Sequence, residues 1–283
     1  MLHGKSTKIF SEINSYFTSQ EKAIIQISNL FVHLKLDKMK LNLTQPNQTQ
    51  HDKRDLLYML LLFPLFSINN VSGYYESALY KYLSAGKDTF YQFKNDSRVA
   101  WRNMLYWLNM KLLRKVKSHS QELTTSPRCL CLDDTDFEKT GLHIEHIGKI
   151  WSHVQHKCVL GFKGLFLGYW DGKSFFGLDF SLHKEKGKNR KRPYGLKPRQ
   201  LAKQYKKKRD FSSEGYSRES ELKLNKIDNA ILMIRRALDK KIKVDYVLMD
   251  SWFVCERILR FVKRLRQNIH LLGMAKVGIA KYN

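Results

Sequence analysis

Apolar residues follow two different periods along this chain. Up to about residue 115 they recur every three or four positions, the spacing of helices that bury one face. The clearest stretches are residues 24–34, 56–66, 79–83 and 101–108. From residue 128 onward, short apolar runs alternate with turn residues and helical stretches, which indicates strands. The pattern predicts an all-α N-terminal domain over residues 1–115 and an α/β domain over residues 128–283.

The α/β part has a definite order of elements. Strands are predicted at residues 128–132, 158–170, 173–182, 246–249 and 269–275, and helices at residues 224–238 and 254–267. Asp171 and Gly172 form a hairpin turn, so the second and third strands are antiparallel neighbours. A strand reached through a crossover helix is normally parallel to its partner. We therefore predict a mixed sheet flanked by helices, with the first and fourth strands side by side.

Two polar segments interrupt the pattern. Residues 116–127 are rich in serine and threonine and predict a linker between the domains. Residues 184–209 contain thirteen Lys or Arg and one Glu, with two prolines. Such a charge run is typical of a solvated, mobile loop, and we assign residues 184–215 to a basic insertion in the second domain.

The whole chain is strongly basic. It carries 51 Lys and Arg against 26 Asp and Glu, a net charge of +25. This excess indicates a polyanionic partner, because each cation placed on a phosphate releases condensed counterions. Nucleic acid is favoured over an anionic membrane, because the basic residues are spread through a folded pattern rather than along one amphipathic helix.

The basic insertion supplies the candidate DNA contacts. They are Lys188, Arg190, Lys191, Arg192, Lys206, Lys207, Lys208 and Arg209. Tyr194 and Tyr205 lie among them and are available to stack on bases. The alternative is a disordered loop that only keeps the protein in solution. A second candidate is a helix-turn-helix over residues 77–93, although a plain helical hairpin is the commoner structure.

The chain shows none of the usual marks of a secreted or membrane protein. The first residues are not followed by the apolar stretch of a signal peptide. The most apolar segment, residues 56–66, is too short to span a bilayer and contains Pro64. The four cysteines include no CxxC pair, so reduced core cysteines are favoured over zinc ligands. We predict a cytoplasmic protein without a membrane partner.

Two apolar runs end in carboxylates. Asp133 follows residues 129–132, and Asp250 follows residues 246–249. If the two strands are neighbours, both carboxylates lie at one edge of the sheet, where hard cations such as Mg²⁺ find the oxygen ligands that they prefer. Asp133 is favoured over Asp134 because it continues the strand. The stretch His143 to His146 fails the spacing of known zinc motifs, and scattered polar residues explain it better.

These two motifs resemble those of a known enzyme family. Leu132-Asp133-Asp134-Thr135, with Lys139 and Gly141 following, is similar to the first-Asp motif of the DDE transposases of bacterial insertion sequences, and residues 247–253 are similar to the second-Asp motif. The closest pattern is that of the IS4-like group. The resemblance implies a ribonuclease H-like core over residues 128–283 that cleaves and joins DNA strands. It also implies a DNA-binding N-terminal domain.

The resemblance also implies cofactors, partners and location. Asp133 and Asp250 would be catalytic and would ligate two Mg²⁺ or Mn²⁺ ions. The partners would be double-stranded DNA, as terminal inverted repeats and target, and a second copy of the chain in a synaptic complex. The protein would be bacterial and associated with the nucleoid.

One feature of the family is missing from the sequence. The family's third carboxylate, a Glu beyond the last core strand, has no counterpart, and Glu256 is better explained as a surface charge. The chain is therefore expected to be truncated, to bind DNA and to cleave it poorly. Two alternatives are a non-catalytic DNA-binding remnant that occupies transposon ends, and a ribonuclease H-like nuclease or resolvase unrelated to transposition.

Overall fold

The computed structural model describes residues 29–43, 51–119, 126–265 and 268–274. The chain divides into two compact units, Met1–Leu108 and Asn109–Asn283. The division falls within a helix, Trp101–His119. Residues 116–119 are therefore helical, which corrects the prediction of a linker beginning at residue 116, and residues 120–125 lie outside the described ranges.

The first unit is built from helices. After a helical stretch at residues 29–34 come α1 (Lys53–Leu62), α2 (Val71–Tyr75), α3 (Lys87–Lys94) and α4 (Trp101–His119), with 3-10 turns at Leu36–Lys38, Pro64–Phe66 and Ala78–Lys81. The helix α1 ends just before Pro64, whose ring does not fit a helix interior. The helical prediction is confirmed here for the described residues, whereas residues 24–28 lie outside them.

An aromatic cluster forms the core of this unit. The Tyr74 ring centroid lies 5.4 Å from that of Phe63 and 5.1 Å from that of Phe90. The helix-turn-helix considered for residues 77–93 is not formed, because its first half is only the 3-10 turn Ala78–Lys81.

No helix of the described ranges is both long enough and apolar enough to cross a bilayer.

The second unit contains a six-stranded mixed sheet. Its strands are β1 (Cys129–Glu138), β2 (Gly148–Ser152), β3 (Lys157–Trp170), β4 (Phe175–His183), β5 (Tyr246–Met249) and β6 (His270–Gly273). The order is β2-β3-β1-β5-β6, and β4 also pairs with β3. The strand β3 runs antiparallel to β1, β2 and β4, whereas β5 is parallel to both β1 and β6. The predicted side-by-side placement of the first and fourth predicted strands, β1 and β5, is confirmed.

Within the described residues, four further helices lie in this unit. They are α5 (Pro198–Ala202), α6 (Glu214–Glu221), α7 (Lys226–Asp239) and α8 (Glu256–Lys263). The helix α7 is capped by Asn225, whose side chain accepts a hydrogen bond from the Asp228 backbone N–H. It packs on β3 and β4, and α8 packs on α7 and β6. Together α7 and α8 are the crossovers that make β5 and β6 parallel to β1.

Three parts of this unit differ from the sequence-based prediction. The strand β1 extends to Glu138, so Asp133 lies inside β1, although it is the first residue beyond the pairing with β5. The strand β2 was not predicted. The basic insertion is not a structureless loop, because it contains the 3-10 turn Pro193–Gly195 and α5, and Leu196 is buried with Ile147 and Phe162.

Candidate metal site and basic segment

The two motif aspartates are neighbours at one edge of the sheet. Leu132 of β1 pairs with Met249 of β5, so Asp133 is the next residue of β1 and Asp250 is the first residue after β5. Neighbouring strands lie about 4.8 Å apart, and paired residues of parallel strands point to the same face. Both aspartates are exposed. Two carboxylates far apart in the sequence are thus brought together.

Both carboxylates open into one cleft. It has a volume of about 600 Å³ and lies where the parallel strands end, which is where open α/β sheets commonly bind ligands. The lining residues are Cys131, Leu132, Asp133, Leu248, Met249, Asp250, Leu272, Gly273 and Met274. Among these described residues Asp133 and Asp250 are the only charged ones, so the polar chemistry of the cleft depends on them.

A backbone N–H group orients each carboxylate. The Asp134 N–H donates to Asp133 Oδ1 at 2.8 Å, and the Trp252 N–H donates to Asp250 Oδ1. A second bond, from the Phe253 N–H to the Asp250 carbonyl at 3.1 Å, closes the turn after β5. Within the described ranges, no lysine or arginine pairs with either aspartate, so one oxygen of each carboxylate is available to a cation.

The adjacent Asp134 is engaged elsewhere. Side chains alternate along a strand, so Asp134 points to the face opposite Asp133. There its Oδ2 lies 2.7 Å from Lys226 Nζ, and its side chain is only 21% exposed. The geometry therefore favours Asp133 over Asp134 as the residue that faces Asp250.

The two aspartates fit a hard divalent cation, because carboxylate oxygens are the ligands that Mg²⁺ and Mn²⁺ prefer. No group of three or more His, Cys, Asp or Glu residues is placed to hold a metal in the part of the chain that the structure describes. Glu256 pairs with Arg260 on the exposed side of α8 and is not such a ligand. Further oxygen ligands at this site would have to come from groups other than the described side chains.

The histidine-rich stretch forms an ion-pair cluster. Arg209 Nη1 donates to Glu145 Oε1 at 2.8 Å and to Glu219 Oε2 at 3.0 Å. His146 Nε2 lies 3.0 Å from Glu219 Oε1, and the Lys207 N–H donates to Glu145 Oε1 at 2.9 Å. Burial raises the pKa of Glu145, but the bonds from Arg209 and Lys207 outweigh it and leave the pKa below its ordinary value. This cluster fixes the end of the basic insertion to the loop before β2 and to α6.

The DNA contact predicted for Arg209 stays a prediction, although this residue is already engaged within the protein. Its side chain is 15% exposed and its guanidinium is occupied by two carboxylates. Tyr194 is likewise partly packed, because Lys184 Nζ lies 4.4 Å from its ring centroid. Tyr205 remains 62% exposed.

The other predicted contacts lie on the surface. Lys207 is half-buried, whereas the remaining six are exposed: Lys188, Arg190, Lys191, Arg192, Lys206 and Lys208. Two backbone anchors support the segment, since the Tyr205 N–H donates to the His143 carbonyl at 2.8 Å and Gln204 Nε2 donates to the Ile147 carbonyl at 2.6 Å. The basic segment, residues 184–209, is therefore docked on the rest of its unit and presents its exposed cations to solvent. Phosphates can bind to such a surface without the entropic cost of ordering a free loop.

Replacing Arg209 with methionine is expected to destabilise the protein by about 2 kcal/mol, because two partly buried carboxylates lose their partner. A lowered pKa at Glu145 means that its stabilising contribution is present above the ordinary value of 4.5 and is lost as pH falls through the folded pKa. Thermal unfolding between about pH 3 and pH 7 should show a shallower acid dependence for Arg209→Met. The neighbouring exposed Lys208→Met is the control, and an equal loss in both variants would contradict this role of Arg209.

Comparison with known proteins adds no evidence here, since no protein family, characterised protein or solved structure matches this chain.

Proposed function

We propose that this protein is a DDE-type transposase that cleaves and joins DNA strands at the ends of an insertion sequence, as the resemblance to the IS4-like group implies. The observation that carries the proposal is that Asp133 and Asp250 directly follow the last paired residues of two parallel strands and line one cleft. A pair of carboxylates on rigid, neighbouring strands is what metal-assisted phosphoryl transfer needs.

The sheet supports a ribonuclease H-like core. Three antiparallel strands, β4, β3 and β1, are followed by two parallel strands, β5 and β6, each reached through a crossover helix. The strand β2 is an addition that pairs with the first part of β3. This is the arrangement expected if the two motif aspartates belong to such a core, because it brings their strands side by side.

The residues of the proposed site would have three different roles. Asp133 and Asp250 would hold the cations, and the backbone N–H groups of Asp134 and Trp252 would keep the carboxylates oriented. When bound, a pair of Mg²⁺ or Mn²⁺ ions activates water and stabilises the leaving 3′ oxygen. The exposed cations of residues 188–192 and Lys206 and Lys208 would hold the DNA backbone, in a complex that contains two copies of the chain and both DNA ends.

A second candidate function is a non-catalytic DNA-binding protein that occupies the same DNA ends. The observation in its favour is that the described residues supply two carboxylates to the site and no third. Two carboxylates hold a cation pair weakly, because affinity rises with the number of charged ligands. We therefore expect DNA binding to be strong and cleavage by this 283-residue chain to be slow.

A nicking assay separates the two candidates. The substrate is a supercoiled plasmid that carries the terminal inverted repeats flanking the gene, and the cation is Mn²⁺. Transposase function predicts slow nicking by the unaltered chain and by Asp239→Asn, an exposed control on α7, but none by Asp133→Asn. DNA binding without nicking in all three would favour the non-catalytic function. Nicking that persists undiminished in Asp133→Asn would contradict the proposed site.

A further inference from the structure

One lysine contacts both β1 and the turn that follows β5. Lys226 is the first residue of α7, and its Nζ lies 2.7 Å from Asp134 Oδ2 at the point where β1 leaves β5. The lysine side chain is only 11% exposed. Its ammonium is therefore held between packed elements and is not a solvated surface charge.

The same ammonium contacts the turn that follows β5. It lies 4.0 Å from the centroid of the Trp252 ring and 5.5 Å from that of Phe253. The two rings pack edge to face with centroids 5.1 Å apart, and Phe253 is fully buried. A cation over an aromatic face is attracted by the ring's negative potential, more strongly when it is shielded from water. Lys226 thus joins the end of the β1–β5 pairing to the Trp252 turn.

Two of the residues that Lys226 contacts, Asp134 and Trp252, supply the N–H groups that orient the two carboxylates. The Asp134 N–H donates to the Asp133 carboxylate at 2.8 Å, and the Trp252 N–H donates to the Asp250 carboxylate. A single side chain therefore contacts both of the residues whose backbone N–H groups donate to these carboxylates. Partners of this kind set the orientation of metal ligands without touching the metal.

We propose that Lys226 is the positioning residue of the Asp133–Asp250 site, holding Asp134 and Trp252 so that both carboxylates face one cation. The proposal rests on the proposed function, since it assumes that the two aspartates bind a metal. Lys226 also neutralises Asp134 on the opposite face of β1, so that this carboxylate does not offer the cation a second place to bind.

The test removes the Lys226–Asp134 ion pair and the Lys226–Trp252 contact without changing the net charge. Lys226→Met alone would leave Asp134 as an uncompensated anion that attracts Mn²⁺ by itself, so the informative variant is Lys226→Met with Asp134→Asn. The matched control is Arg128→Met with Asp245→Asn. That pair, 2.6 Å apart, joins the same two strands at their opposite ends. Mn²⁺ affinity is measured by calorimetry and by electron paramagnetic resonance, with thermal unfolding of each variant in parallel.

We expect the Lys226/Asp134 double variant to bind Mn²⁺ about tenfold more weakly than the unaltered chain, the lower end of the range for partners that orient metal ligands. The Arg128/Asp245 control should keep its affinity. Lys226→Arg should restore binding, because a guanidinium can pair with Asp134 and stack on Trp252. If the double variant does not fold, Trp252→Leu, which removes only the ring contact, should show part of the same loss.

The outcomes distinguish the positioning role from the metal site itself. If the unaltered chain and the folded Lys226/Asp134 and Trp252→Leu variants bind Mn²⁺ with equal affinity, only the positioning role is overturned. That role is also overturned if the Arg128/Asp245 control weakens binding as much as the Lys226/Asp134 variant does. No detectable Mn²⁺ binding by the unaltered chain would overturn the metal site of the proposed function, and this inference with it.

Discussion

Replacing Asp250 with asparagine is expected to weaken Mn²⁺ binding about a hundredfold, and Asp133→Asn should do the same. Each variant removes one of the two charged ligands and leaves an amide, which a hard cation binds less strongly. Both side chains are exposed at the cleft, and neither is paired with a lysine or arginine within the described ranges, so the fold itself should be little affected. Calorimetric titration with Mn²⁺ measures the change.

The control for this pair is Asp239→Asn. Asp239 is exposed at the end of α7 and is not among the residues that line the cleft, so its loss changes the net charge equally without touching the site. Comparable weakening by all three substitutions would mean that Mn²⁺ responds to overall charge. In that case the two aspartates would not form a binding site.

Removing four exposed cations from the basic segment should have the second large effect. The variant replaces Lys188, Arg190, Lys191 and Arg192 with alanine. If each cation neutralises one phosphate, the slope of log K against log salt should become shallower by about 3.6, and affinity at about 0.1 M salt should fall by about two to three powers of ten. Fluorescence anisotropy of a labelled duplex over a series of salt concentrations measures both quantities.

A charge-matched control tests whether position matters. Lys241, Lys243, Lys263 and Arg264 are also exposed but lie outside the basic segment. Their replacement by alanine should leave the salt slope nearly unchanged. An unaltered slope in the variant of residues 188–192, or the same change in both variants, would remove this segment from the DNA interface.

Local sequence patterns predicted much of the sheet. The hairpin at Asp171 and Gly172 forms as expected, with Asp171 Oδ1 accepting from the Lys173 and Ser174 N–H groups. The helix α7 and the strand β5 also lie where the apolar pattern placed them. These elements bury one face in a regular period, and that information is local to the sequence.

The extension of β1 could not be predicted in this way. Acidic residues have low strand propensity, so the run after Leu132 was expected to leave the sheet. It stays because β3 pairs with it throughout and because Lys163, nearly buried, pairs with Asp136. Burial raises the pKa of Asp136, but the hydrogen bonds from Lys163 and Ser152 lower it by more. The pKa is therefore below its ordinary value, and the carboxylate stays charged. That compensation comes from residues distant in the sequence.

The docking of the basic segment and the contacts of Lys226 could likewise not be predicted from local sequence patterns. The thirteen cations of residues 184–209 dominate the composition, whereas the few apolar residues that dock the segment, such as Leu196, give no periodic signal. Lys226 is one of 51 Lys and Arg, and its partners Asp134 and Trp252 are separated from it along the chain. The neighbouring positions of Asp133 and Asp250 could be predicted because parallel strands leave a recognisable order of elements along the chain.

The proposed chemistry depends most on a divalent cation bound between Asp133 and Asp250. Crystals of the protein grown with Mn²⁺ and an end-sequence duplex, measured at an x-ray energy that excites manganese, test this directly. We expect an anomalous peak about 2.1 Å from a carboxylate oxygen of each aspartate, the distance typical of small divalent cations. A peak bound only elsewhere, or carboxylates directed away from each other with no manganese between them, would contradict the proposed site.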